Sequence, residues 1–329
     1  MLLAALSLLA SGALPAVCAA GEKPQIPDPV GFLVRTNYHG WENALLVSNG
    51  RVEAIIVSQV GRVMQFRFAG ETDGSFWENA DVLGKLPDPQ STNWLNFGGE
   101  KIWPAPQSEW KDHTKHEWPP PAGFDGLPYE VKLDGFVVTL TSAVDPSYGI
   151  RVRREIKLAI NDPVLKITTT FDKVQGSSLR VSVWAVSQMK SPIAIYSLIP
   201  QVSHFREGFH LLSDERPPSL RLGANWLALT RDPKKSYKIG TDGGTLLWMG
   251  ENDMVRIDSP RLPLAEYPDQ GASVEIFTNP DPQAYVELET LGALRKMKKG
   301  ERILCRTTYT LLKRTELDPD LEARKLYWH

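Results

Sequence analysis

Apolar and polar residues alternate with a period of two along most of this chain, and few windows carry a helical period. The clearest element is ALLVSNGRVEAIIV, residues 44–57, in which two apolar runs flank Ser48-Asn49-Gly50-Arg51. An Asn-Gly pair between such runs predicts a tight hairpin, since it supplies the positive-φ positions that the turn needs. GFVVTLTSAV, GIRVRREIKLAI, VLKITTTFDKV and LRVSVWAVSQM follow between residues 135 and 189 at the spacing of an antiparallel sandwich. In the second of these Arg151, Arg153 and Glu155 alternate with Val152, Arg154 and Ile156, so Arg154 breaks the apolar series. The last third continues with TLLWMG, MVRID, SVEIFTN, YVELET and, after the turn Lys298-Lys299-Gly300, ERILCRTTYTLLK. Only the tail, residues 318–326, reads as a helix. The expectation is an all-β, predominantly antiparallel protein with a short C-terminal helix.

Residues 84–128 are different, being rich in Pro, Gly and Asn with almost no periodicity. A long irregular stretch inside a compact domain is usually functional or disordered. Trp94, Trp103, Trp110 and Trp118 argue against disorder here. No solenoid or propeller repeat and no low-complexity linker interrupts the chain, so residues 31–329 are expected to form one domain. Ahead of it, residues 1–20 read as an export signal, with Cys18 and Ala20 at the minus-three and minus-one positions of a cleavage site, followed by a Pro-rich lead over 21–30. This implies a periplasmic or extracellular protein; the alternative is a lipoprotein anchored through Cys18. Cys305 is then the one remaining cysteine, which leaves burial rather than a disulfide to stabilise the fold. A net charge of −2 with Lys and Arg dispersed carries no nucleic-acid footprint, and the signal's apolar run is too short for stable membrane insertion. Ten tryptophans suit both core packing and the flat faces of sugars.

The candidate chemistry lies in YVELET, where Glu287 and Glu289 share one face of a strand and Val286 and Leu288 share the other. Their backbone positions are roughly 6.6 Å apart. At an effective dielectric of about 20 the repulsion is about 2.5 kcal/mol, enough to lift one carboxyl by between one and two pH units. A proton acceptor near neutral pH is one outcome and a solvated strand face is the other. No metal-spaced His/Cys cluster, phosphate-binding Gly loop or GxSxG turn is present, and no cofactor is expected. Two carboxylates side by side on one strand also do not flank a bond as a glycoside hydrolase requires.

Three passages carry a resemblance. SQVGRVMQFRFAG, residues 58–70, resembles the opening of galactose mutarotase-like proteins. NWLNFGGEKIWPAPQ, residues 93–107, resembles the paired-glycine and aromatic-proline segment that borders the sugar site in hexose-6-phosphate epimerases of that superfamily. YVELET followed by MKKGERILCRTTYTL resembles the strand bearing the catalytic glutamate and the closing strand. Their order and spacing match over nearly the whole chain after residue 20, and GGEKIWPAPQ with YPDQGASVEIFTN is most similar to an exported bacterial branch.

The resemblance implies a β-supersandwich that binds a mono- or oligosaccharide on a concave sheet face. In the enzymes it implies aldose 1-epimerase chemistry, in which a base takes the C1 hydroxyl proton and an acid protonates the ring oxygen. By position Glu289 matches the base, with Glu287 beside it. The enzymes' histidine acid is unmatched, because the corresponding strand carries Trp184, Ser187 and Gln188. His113, His116 and His204 are the remaining candidate acids. Asn96, Glu100, Lys101 and Gln188 are candidates for sugar hydroxyls, Trp103 and Trp184 for apolar walls, and Tyr267 and Asp269 for the same face. The alternative is a non-catalytic carbohydrate-binding or cell-envelope module on this fold, with a polysaccharide lyase or glycoside hydrolase less favoured. Oligomeric state is not legible.

Overall fold

The computed structural model describes residues 31–88 and 93–327. The export signal with Cys18 and the Pro-rich lead lie outside these residues. Two antiparallel sheets face each other. The first runs, in spatial order, through Phe32–Tyr38, Trp41–Ser48, Val52–Val57, Arg62–Phe68, Glu100–Ala105, Leu179–Lys190, Tyr285–Leu291, Val274–Thr278, Tyr237–Thr241 and His210–Leu211, with Arg295–Met297 pairing onto Leu179–Lys190. The second is centred on Thr245–Met249, Asp253–Asp258, Arg302–Lys313, Val164–Lys173 and Ile150–Leu158. The expected strands and their direction are present. The helix spans Pro319–Tyr327, and the Asp318 carboxylate accepts from the Asp320 N–H at 2.8 Å to cap its first turn. No helix of the described residues is long and apolar enough to cross a membrane.

The Asn49-Gly50 turn forms as expected, with Gly50 at φ 80°. Its asparagine also does more than turn the chain. Asn49 Oδ1 accepts from the Arg51 and Val52 N–H groups, and Nδ2 donates to the carbonyls of Ala159 and Asp162 at 2.7 and 2.9 Å. Those carbonyls belong to the connection between two strands of the second sheet, so one side chain ties the sheets together at their edge.

Between the sheets lies one buried apolar cluster that takes Ile102, Ile276, Val286 and Leu288 from the first sheet and Val152, Ile167, Tyr309 and Leu311 from the second. Polar side chains inside it are paired: Ser187 Oγ with the Tyr309 hydroxyl at 2.9 Å, and Thr290 with Thr307 at 3.1 Å. Cys305 is buried and free, 3.4 Å from Ser259 Oγ.

Arg154 breaks the apolar alternation because it crosses this layer to an ion pair with Glu100 of the opposite sheet, both side chains being sealed from water. Its other amino group donates to the Gly61 carbonyl at 2.8 Å. Glu100 therefore points between the sheets and away from the face that carries Glu287 and Glu289. The expectation that Glu100 contacts sugar hydroxyls is corrected by the reach of Arg154, which holds it in the core. A charge buried with its partner removed is far more costly than the intact pair. Arg154→Leu is expected to lower unfolding stability by about 3–5 kcal/mol in urea titration, and Arg154→Leu with Glu100→Leu to regain most of that loss.

Candidate functional site

Paired glycines set the entry to the first site strand. Gly98 and Gly99 have φ of 90° and 69°, and a Cβ would lie 2.2 Å from the Trp77 carbonyl oxygen at the first and 2.6 Å from that of Val63 at the second. Only glycine allows the chain to pass this close and turn into Glu100–Ala105. Inside the stretch that reads as irregular there is thus a fully buried strand, followed by a short helix over Trp110–Thr114.

Five neighbouring strands form the floor: Glu100–Ala105, Leu179–Lys190, Tyr285–Leu291, Val274–Thr278 and Tyr237–Thr241. Directly paired residues project to the same side. The register makes one row of Lys101, Val186, Glu289, Glu275 and Gly240, and the next of Gln188, Glu287, Phe277 and Lys238. Trp103 and Trp184 pair in the row on the other side. Val286 and Leu288 go into the inter-sheet core, as their alternation predicts. The glutamates do not face water, however: Glu289 is 0% exposed and Glu287 8%.

Two lysines serve three carboxylates. Lys101 Nζ lies 3.2 Å from Glu287 Oε1, which also accepts from Gln188 Nε2 at 2.9 Å. Lys238 Nζ lies 2.7 Å from Glu275 Oε2 and 3.0 Å from Glu289 Oε2, and the Trp184 indole donates to the same Glu289 oxygen at 2.7 Å. Lys101 sits 4.6 Å from the Trp103 ring centre and Lys238 4.6 Å from that of Trp184. Both ammonium groups thus gain a π face as well as a carboxylate.

Burial pushes the Glu287 carboxyl up; Lys101 opposes this, and the Glu289 charge adds to it. Sequence reasoning expects mutual repulsion to raise one of the two, whereas desolvation is the leading cause. Glu275 is raised further, by burial first, against Lys238 and with Glu289 and Asp269 adding. Burial would lower the Lys238 ammonium, yet Glu275 and Glu289 outweigh it and hold that group above its ordinary value. Lys101 goes down through burial, with Glu287 opposing.

The tryptophan segment closes the face. Trp103 meets Trp184 edge-on at 5.1 Å and Trp110 at 5.7 Å, and Trp94 meets Trp118 at 5.0 Å. Asp125 fixes these rings by accepting from the Trp94 and Trp103 indoles at 2.9 and 2.8 Å while paired with Arg62. The amides of Asn96 and Gln188 face the Tyr285 hydroxyl, whose pKa burial raises.

The three candidate histidines do not join this array. His113 packs against Tyr148, the rings 4.5 Å apart and tilted by 45°, away from the floor, and His116 is exposed. His204 lines a separate cleft of about 610 Å³ with Tyr267, Asp269, Arg261 and Leu212. Between that cleft and Glu275 the space at Gly240 is filled: a Cβ there would come 2.8 Å from Ala272 Cβ, 3.3 Å from Leu212 Cδ1 and 3.6 Å from Glu275 Cγ. Of the sequence candidates, Glu287, Glu289, Lys101, Gln188, Trp103 and Trp184 are brought together; Tyr267, Asp269 and His204 meet next door. Lys238 and Glu275 escaped sequence reasoning. Their signal was present, since Glu275 alternates with Val274 and Ile276 just as Glu287 does with its neighbours, and Lys238 stands between Tyr237 and Ile239.

No family model matches the sequence, and no curated protein matches it either. Solved structures match in shape. A proposed mutarotase from Salmonella typhimurium aligns over 88% of this chain and 96% of its own, with 13% identity and a TM-score of 0.56. A galactose mutarotase-like protein from Lactobacillus casei aligns over 82% and 99%, with 11% identity and a TM-score of 0.55. A proposed aldose 1-epimerase from Klebsiella pneumoniae aligns over 88% and 85%, with 9% identity and a TM-score of 0.58. The fold is galactose mutarotase-like. On this galactose mutarotase-like frame Glu289 occupies the strand to which the resemblance assigns the base. Ser187, one of the residues standing where the histidine is expected, turns to the other face and bonds Tyr309.

A carboxyl whose folded-state pKa is raised contributes stability below its unfolded value, near 4.5, and that contribution is lost as pH rises through the folded value. Glu275→Gln is therefore expected to gain stability relative to the parent as pH is raised from 4.5 to 8, by up to about 1.4 kcal/mol per pH unit. Urea unfolding across that range measures it.

Proposed function

We propose that this protein binds carbohydrate on the face built from Lys101, Trp184, Lys238, Glu275, Glu287 and Glu289, and that Glu289 serves as proton acceptor at an anomeric centre. One observation carries the reading. Glu289 Oε2 is held by Trp184 and Lys238, while Oε1 has no hydrogen-bond donor although the residue is wholly buried. A fixed carboxylate with one free oxygen can take a hydroxyl proton, and the indole beside it holds the other oxygen in place. Signal-like residues 1–20 support action outside the cytoplasm.

In an aldose 1-epimerase reaction Glu289 would take the C1 hydroxyl proton as the ring opens. The donor to the ring oxygen would be Lys238, whose ammonium stands 3.0 Å from Glu289. That ammonium is desolvated, and the two carboxylates that outweigh the desolvation make it a reluctant acid. This specific feature favours the second reading, a binding module on the same fold without turnover.

NMR exchange spectroscopy of the α and β anomers of glucose and galactose separates the two. The enzyme reading expects acceleration over buffer that falls by at least about 100-fold in Glu289→Gln, the usual scale for losing a general base. Measurable sugar binding with no acceleration would leave the binding module as the function.

A further inference from the structure

The floor of the site carries more negative than positive groups. Glu275, Glu287 and Glu289 face Lys101 and Lys238, three carboxylates against two ammonium groups, and Asp269 adds its charge from the rim of the adjoining cleft. Among the described residues no further cation pairs with these carboxylates. Arg62 is taken by Asp125 and Arg154 by Glu100, both away from the floor. Arg261, in the cleft, donates to the Gly271 carbonyl at 2.8 Å and lies over the Tyr267 ring. His210 pairs opposite Gly240 and stacks its ring on Phe205. Nor do three His, Cys, Asp or Glu side chains of the described residues converge in a way that would hold a metal ion.

The unmet demand is also visible atom by atom. Glu289 Oε1, Gln188 Oε1 and Glu275 Oε1 are buried acceptors without a donor, on side chains that are 0% exposed. Glu275 Oε2 has Lys238 at 2.7 Å, but as an ion pair without hydrogen-bond alignment. A buried acceptor left unpaired is costly, and one on a carboxylate is more so. A ligand rich in N–H and O–H donors meets this demand, whereas phosphate and carboxylate groups bring further acceptors and further negative charge. An ammonium group meets both halves of it, supplying three donors and the missing positive charge.

Resting on the carbohydrate reading above, we propose that this face takes an amino sugar whose ammonium group settles against Glu275, releasing one proton from that carboxyl to solvent. Before binding, the proton on Glu275 balances the third carboxylate. On binding, the ammonium replaces it as counter-charge, so the ligand enters as a cation and a proton leaves, with no change in the net charge of the complex. The approach is past Lys238 and Glu287, the two floor side chains that keep some exposure, 22% and 11%.

Isothermal titration with glucosamine, N-acetylglucosamine, glucose and glucose 6-phosphate at pH 6, in two buffers of different ionisation enthalpy, tests this. Glucosamine is expected to bind about tenfold more tightly than glucose or N-acetylglucosamine, the scale of one charge-assisted hydrogen bond. Its binding alone should release close to one proton. Glu275→Gln should abolish both the advantage and the proton release; the wild-type comparison of amine with acetamide stands even if that variant folds poorly. Glucose 6-phosphate binding tightest, equal affinity of the amine and the acetamide, or amine binding without proton release would overturn the inference while leaving the sugar site in place. Failure of all four sugars to bind would overturn the carbohydrate reading and this inference with it.

Discussion

Carboxylates buried on one face of a sheet must find positive charge within the fold, and the centre of this protein is arranged around that constraint. Glu287 and Glu289 sit two apart on a central strand, where the pleat sends both to the same side. Their counter-charges come from strands on either side, Lys101 from one and Lys238 from beyond Glu275 on the other. Each ammonium spans at least one intervening strand, so the ion pairs also state which strands must be neighbours. An isolated solvated pair would contribute little. Here the groups are desolvated and cannot be separated without leaving a bare charge inside the protein.

A second set of charges works between layers. Arg154 and Glu100 join the two sheets, and Arg62 joins the strand Arg62–Phe68 to Asp125 in the tryptophan segment. Arg62 also donates to the Gly98 carbonyl at 2.7 Å, which holds the glycine pair that launches the strand of Lys101. Asp125 in turn orients Trp94 and Trp103 through their indole N–H groups. The tryptophans that enclose the carboxylate face are therefore placed by an aspartate and an arginine that never reach that face. Enclosure raises the Glu275 and Glu287 carboxyls, and raised carboxyls are what distinguish a protonic site from an acidic surface.

Much of this frame was legible in the chain. Alternation located the strands within residues 44–57 and 135–189 and most of those from 245 onward, the Asn-Gly turn located the hairpin, and the Val-Glu-Leu-Glu pattern put two carboxylates on one side of a strand. These readings hold because a period-two pattern has one way to bury its apolar side. The strand Glu100–Ala105 was hidden because it is buried on both faces, with charged, aromatic and proline residues and no alternation to reveal it. Arg154 read as a flaw in an amphipathic strand until its partner, 54 positions away, was in place.

The amino-acid sequence by itself determined the β character, the positions of the regularly alternating strands and the side of the strand on which Glu287 and Glu289 stand, since these follow from backbone geometry and local periodicity. It also carried the galactose mutarotase-like likeness, which the shape of the fold bears out. Only the tertiary structure decided the partners. Lys101 reaches Glu287 across 186 positions and Trp184 reaches Glu289 across 105, while Glu100 turns away and the candidate histidines fall outside the array. Pairing at such separations depends on strand order and register, which no local pattern encodes. The charge state of each carboxylate depends in turn on those pairings.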